Sequence, residues 1–143
     1  MSPTPNAWLL VAAALDAMAA LLHVGCIVFG AAWYRFFGAG ERMARLSEAG
    51  DWRPIVVTSG IAIVLSVWAL YALSAAGAIA ELPLLRIGVC AITAVFLLRG
   101  VGGALYAAFG APAGVAFWWW SSAICLGIGL VHLQGLMQVW ARP

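Results

Sequence analysis

The residues from Ala7 to Trp33 read AWLLVAAALDAMAALLHVGCIVFGAAW, with Asp16 and His23 in the interior of an otherwise apolar run. A membrane-spanning helix needs about 20 such residues, so the run is long enough to cross a bilayer. A carboxylate at membrane depth costs at least ~2.5 kcal/mol, and Asp16 must therefore face protein or water rather than lipid. Asp16 and His23 are seven residues apart, two helical turns, which puts them on one face of a helix. That face is the first place to look for function.

Of the 143 residues, 66% are hydrophobic and 8% are charged, against roughly 25% charged in soluble domains. A soluble domain of this size could not bury so much apolar surface, whereas a lipid-embedded one need not. The net charge of +2 is small and scattered, and argues against a nucleic-acid partner. All seven basic residues are Arg, and with the abundant Ala and Gly this is the usage of a GC-rich bacterial genome. The leading MSPTPNAW carries no basic segment, and the run after it exceeds a signal-peptide core, so it reads as a retained helix.

The expected fold is all-α: a polytopic membrane protein of one domain, residues 1–143, with four transmembrane helices in one antiparallel bundle. The helices are expected at about 7–33, 54–79, 84–109 and 115–139, with a cytoplasmic connection over 34–53. Asn6 and Asp51 are the N-cap candidates, and Pro54 belongs in a first helical turn. Trp8, Trp33, Trp118, Trp119, Trp120 and Trp140 suit the membrane interfaces. Within the connection, Glu41 to Glu48, bracketed by Gly38, Gly40 and Gly50, reads either as two helical turns with Met43 and Leu46 towards the membrane or as a solvated charged loop with one helical turn. Ser59, Ser66 and Ser74 line one side of the second helix. The pairs Gly100/Ala104 and Gly103/Ala107 on the third suit close helix contact. Tight turns are expected at Ala80–Pro83 and Gly110–Gly114.

Depth decides which polar groups can meet, since each residue rises about 1.5 Å along a helix. Asp16 and His132 fall at similar depth, towards the outer side; His23, Arg99 and Cys125 fall towards the inner side. Arg99 lies within about 8 Å of Asp16 in depth, which a guanidinium side chain can span. The candidate ligand- or proton-binding residues are thus Asp16, His23, Arg99 and His132, with Asp16 paired to Arg99 or His132 to lower its burial cost. Such pairs could equally do no more than fix helix register. No catalytic residue is assigned: GxSxG, HExxH, paired carboxylates and a phosphate-binding glycine loop are all missing. No cofactor or metal is expected. His23 and His132 lie roughly 10 Å apart along the membrane normal, too far for two axial haem ligands. His23, Cys26 and Cys125 form a secondary soft-ligand alternative, suited to Cu(I) or Zn. The three cysteines lie in apolar runs without a CxxC, and read as packing rather than redox chemistry.

The connection YRFFGAGERMARLSEAGDWRP, the following IVVTSGIAIVLSVWALYALSAAGAI and the LPLLR turn resemble a small, uncharacterised family of bacterial four-helix integral membrane proteins. The resemblance covers roughly Tyr34 to Gly100, and IGLVHLQG further on; it implies the fold and a bacterial membrane location, and carries no active site. Small multidrug transporters also place a carboxylate midway along the first of four helices, an architectural likeness only, since their third-helix aromatic and glycine pattern is missing.

The expected function is that of a proton- or cation-coupled small transporter or transport subunit. The alternatives are a structural or accessory subunit of a membrane complex, and a membrane enzyme or binding protein for a lipophilic substrate such as a quinone or sterol. The expected partners are the lipid bilayer and further copies of the chain or subunits of a larger complex. Arg35, Arg42, Arg45 and Arg53 flank one side of the bundle, and Arg86 and Arg142 the other. By the positive-inside rule the first connection is cytoplasmic and both termini are periplasmic, in the cell inner membrane. Reporter fusions after Gly50 should therefore report cytoplasm, and fusions at Pro143 periplasm; the reverse pattern would invert the orientation.

Overall fold

The first apolar run does not stay one helix to Trp33. In the computed structural model, which describes residues 4–110 and 114–140, it breaks at Gly30. Among the described residues there are six helices and no strand: α1 Ala7–Phe29, α2 Ala31–Phe36, α3 Glu41–Glu48, α4 Arg53–Ala75, α5 Leu85–Phe109 and α6 Val115–Trp140. Helices α1, α4, α5 and α6 are long and apolar enough to cross a membrane. Between 28% and 33% of each apolar stretch is buried; the rest shows Leu, Val, Ile and Phe on the outside, a surface that only lipid covers without penalty. This is the build of a multi-pass membrane protein. The centre of the Gly110–Gly114 turn and Arg142 lie outside the described residues.

The chain divides into two packed units, Met1–Asp16 with Val67–Pro143, and Ala17–Ser66. In the first, glycines let helices approach until side chains meet backbone. A Cβ on Gly129 would sit 2.8 Å from Leu97, and one on Gly100 2.5 Å from Leu126. Because 97 meets 129 and 100 meets 126, α5 and α6 run antiparallel. Gly100, Gly103 and Ala107 are all buried, as their small-residue spacing predicts. Gly135 makes the corresponding contact with Leu9, 2.6 Å from a Cβ on it. Leu9 in turn packs with Ala76, Val89 and Leu136.

The ends of these helices are tied by side chains. Asn6 Oδ1 accepts from the Leu9 N–H at 3.1 Å, the N-cap bond, and Asn6 Nδ2 donates to Gln138 Oε1 at 3.2 Å. Helix α4 stops at Ala75 rather than 79 because Gly77 turns left-handed (φ 79°). The Gly77 and Ala78 N–H groups then close on Ser74 and Leu73 carbonyls, each at 3.0 Å. Ser74 Oγ donates to Ala80 O and accepts from the Leu82 N–H, both at 3.0 Å, holding the turn before α5.

In the second unit, Gly30 (φ 65°) reverses the chain after α1. Trp33 folds back onto Gly25, whose missing Cβ leaves room for the indole, and stacks on Phe29 at 4.5 Å. It is a packing residue here, not the far end of a long helix. Tyr34 is buried; its OH donates to Pro54 O at 3.2 Å and lies 3.0 Å from Thr58 Oγ1. Asp51 Oδ1 accepts from the Arg53 N–H at 2.8 Å at the start of α4, with Pro54 in the first turn.

Helix α3 forms over the expected residues, with Gly38, Gly40 and Gly50 at positive φ around it. Its inner face, Ala44 and Met43, packs on Tyr34 and Cys26. Its outer face carries an ion network. Arg35 binds Glu41 through Nε and Nη2, both at 3.0 Å, and Glu48 through Nη1 at 2.6 Å, while Arg45 reaches Glu41 at 3.3 Å. The Arg35 hydrogen bonds, with that of Arg45 adding to them, hold the Glu41 carboxyl down at about 2, and the Arg35 bond lowers Glu48 as well. A carboxylate held below its ordinary 4.5 stabilises the fold above that pH, and the contribution fades as pH falls through about 2. A carboxyl-detected NMR titration should find Glu41 titrating near 2 in the native protein and moved up towards its ordinary 4.5 after Arg35→Gln, with Arg45 still holding it below that value. An unchanged midpoint would mean that the network does not form.

Candidate functional site

Two side chains in the first unit are polar, ionisable and wholly buried: Asp16 on α1 and His132 on α6. The local sequence brings them together. Gly135, one turn along α6 from His132, admits Leu9, and Asn6 is joined to Gln138. These contacts set α1 and α6 antiparallel at close range. Two turns along α1 from Leu9, Asp16 then meets His132, with Nε2 to Oδ2 at 3.0 Å. Ala12 and Ala13, one turn back, keep the approach narrow against Ala72 and Val131.

Aromatic rings cover the pair. Phe96 of α5 stacks on the imidazole, with ring centroids 5.7 Å apart and planes 25° apart, and Trp68 of α4 stands edge-on to Phe96 at 5.1 Å. Excluding water strengthens the pair's own hydrogen bond and makes any unmade one costly. Two buried polar atoms of the pair, Asp16 Oδ1 and His132 Nδ1, have no hydrogen-bond partner among the described residues. One proton shared between the groups satisfies either assignment, carboxylate with imidazolium or carboxylic acid with neutral imidazole. Both retain the bond between Nε2 and Oδ2. The pair can therefore take part in proton transfer through its two outer atoms without losing the contact that holds it.

The other expected members are elsewhere. Arg99 does not pair with Asp16. Its Nη2 donates to Ser121 Oγ at 2.8 Å, and the guanidinium lies 4.9 Å over the Trp118 ring. The depth difference was small enough for the Asp16 pairing, but the long side chain extends the other way, towards the end of the α5–α6 hairpin, as buried arginines in membranes do. Along α6, Ser121 is eleven residues from His132, about 16 Å. His23 turns its Nδ1 to the Ala19 carbonyl of its own helix at 2.7 Å. The single polar site of Asp16, His23, Arg99 and His132 is thus a pair and two separate residues.

Among the described residues no three His, Cys, Asp or Glu side chains gather as a metal site requires. Cys26 is buried against Tyr34 and Ala44. His132 already commits Nε2 to Asp16, the nitrogen an axial haem bond would use. Sequence reasoning missed Phe96 and Trp68 around the imidazole, and Trp118, Ser121 and Ser122 around Arg99. The usable signal was the placement of His132 midway between Gly129 and Gly135, where two neighbouring helices come nearest.

No protein-family model, curated protein or solved structure matches the chain. The geometry carries the site on its own. Breaking a buried ion pair by removing one partner costs about 3–5 kcal/mol. Asp16→Ala and His132→Ala should each lose stability on that order, while Asp16→Leu/His132→Phe should recover much of it. Chemical unfolding in detergent micelles reads both; additive losses would show that the two residues are not coupled.

Proposed function

We propose that the chain is a small proton-linked transporter, or a subunit of one, in a bacterial inner membrane, and that Asp16 and His132 carry the proton. The observation that supports this reading is a wholly buried Asp–His hydrogen bond with one unpartnered polar atom at each end. Leaving a buried donor or acceptor unmade costs about 1–3 kcal/mol. A pair whose only task was to fix register would gain nothing from two such atoms. Register between α1 and α6 is also held without it, by Asn6 with Gln138 and by Leu9 on Gly135. Unpartnered atoms on both sides of a shared proton fit a relay whose partners come and go. Both termini are placed in the periplasm by the arginine count, and the exposed apolar faces are turned to lipid or to further subunits.

Infrared difference spectroscopy of the protein in lipid, stepped between about pH 5 and pH 8, tests the reading without knowledge of a substrate. A protonation change in the carboxyl or imidazole bands should appear in the wild type and vanish in Asp16→Asn, which keeps the side-chain volume. The same variant should lose voltage-driven proton uptake in liposomes. A wild type with no pH-dependent band from either residue would sink the proposal and leave the pair a structural contact.

A further inference from the structure

Arg99 sits in the interior of α5, and no carboxylate among the described residues forms a salt bridge with it. An uncompensated cation at membrane depth is costly and marks a functional position. Its surroundings hold the guanidinium in one orientation. Trp118 lies beneath it and Ser121 takes Nη2. Among the described residues the remaining Nη1 is buried without a partner, and so is the hydroxyl of Ser122, a residue only 1% exposed. Both atoms point to one spot. A Cβ placed on Gly103 would overlap Ser122 Oγ and Arg99 Nη1 together, with Trp118 close by at 3.5 Å. Two unpartnered donors thus converge over a residue that has no side chain to occupy the space.

A pocket of about 320 Å³ opens beside them, lined by Leu98, Arg99, Gly102, Gly103, Tyr106 and Trp118. Leu98 and Tyr106 are exposed on the outside of α5. We propose that Arg99 and Ser122 bind an oxyanion, a phosphate or carboxylate, carried through this lateral pocket by an amphiphile of the membrane. One anionic oxygen can accept from Nη1 and the Ser122 hydroxyl at about 2.8–3.0 Å from each. The charge-assisted bond is strong in a site without competing water. Leu98 and Tyr106 offer apolar surface to the chain behind the headgroup. Gly103 is required because any side chain there fills the meeting point. The site shares no side chain with Asp16 and His132, so it stands or falls apart from the proton relay.

The test uses the full chain in neutral maltoside detergent, with thermal unfolding followed during titration with oleate, phosphatidylglycerol, inorganic phosphate or a neutral diacylglycerol. The wild type should show a saturable rise in Tm with oleate and phosphatidylglycerol and none with diacylglycerol. Ser122→Ala and Gly103→Ala should still unfold cooperatively, with the apparent affinity for the anionic amphiphile weakened about tenfold. Arg99→Gln should abolish the rise. Should inorganic phosphate alone act at the same concentration, with the same dependence on Ser122, the oxyanion site is upheld and its source is soluble rather than lipid. No saturable rise with any of the three anions, or a rise undiminished in Ser122→Ala, would overturn the proposal. If Gly103→Ala does not fold, Ser122→Ala decides the matter alone.

Discussion

The hydrogen bond between His132 Nε2 and Asp16 Oδ2 is the contact on which the first unit depends, because it allows an acidic residue to lie in an apolar span. Without it, α1 would carry a carboxylate into hydrocarbon or into a core of Ala and Leu, and either would oppose folding. With it, the carboxylate oxygen has a hydrogen-bonding partner at depth. The surrounding residues follow from that need: small ones (Ala12, Ala13, Gly135) where α1 must come near α6, and a flat aromatic, Phe96, over the imidazole face.

Close approach is the second theme, and it has a membrane-specific reason. Apolar side chains gain little by leaving lipid for each other, so helix contacts rest on shape and on polar bonds. The glycines at 100, 103, 129 and 135 serve shape, each receiving a side chain from the facing helix. Asn6, Ser74 and Tyr34 serve as polar ties at helix ends, where backbone groups would otherwise go unmet. At Gly103 the two themes coincide. The missing side chain there opens the spot where Arg99 and Ser122 meet, and makes a packing position into a candidate binding position.

The two polar centres differ in kind. Asp16 with His132 is covered by the Phe96 ring and by small aliphatic neighbours, and the role proposed for it is the movement of a proton. Arg99 with Ser122 borders an open lateral pocket, and its chemistry is attraction of a negative charge. Roughly 16 Å of α6 separates them, and α5 carries Phe96 and Arg99 one turn apart. The two centres share only α6, since Asp16 comes from α1 and Arg99 from α5, and each can be assayed alone.

Much of this was legible in the sequence. Long apolar runs, the paucity of charge, the Asp51–Pro54 helix start and the Glu41–Glu48 segment between glycines each follow from local rules that need no neighbours. The same is true of Asp16 as the residue needing a partner, since the cost of a carboxylate in lipid is independent of the fold. Which partner it takes is not local. Arg99 and His132 were both within reach by depth, and the choice turned on the direction in which a flexible side chain extends and on which glycine brought which helix close. The break at Gly30 has the same origin: an apolar run of continuous helical composition ends early because Trp33 finds room on Gly25. Composition and spacing determined that this chain has four spans and a buried acid in the first. Only the tertiary structure decided that the acid meets His132 and that Arg99 turns away to Ser121 and Trp118, because those outcomes depend on distances between residues over a hundred, or about twenty, positions apart in the chain.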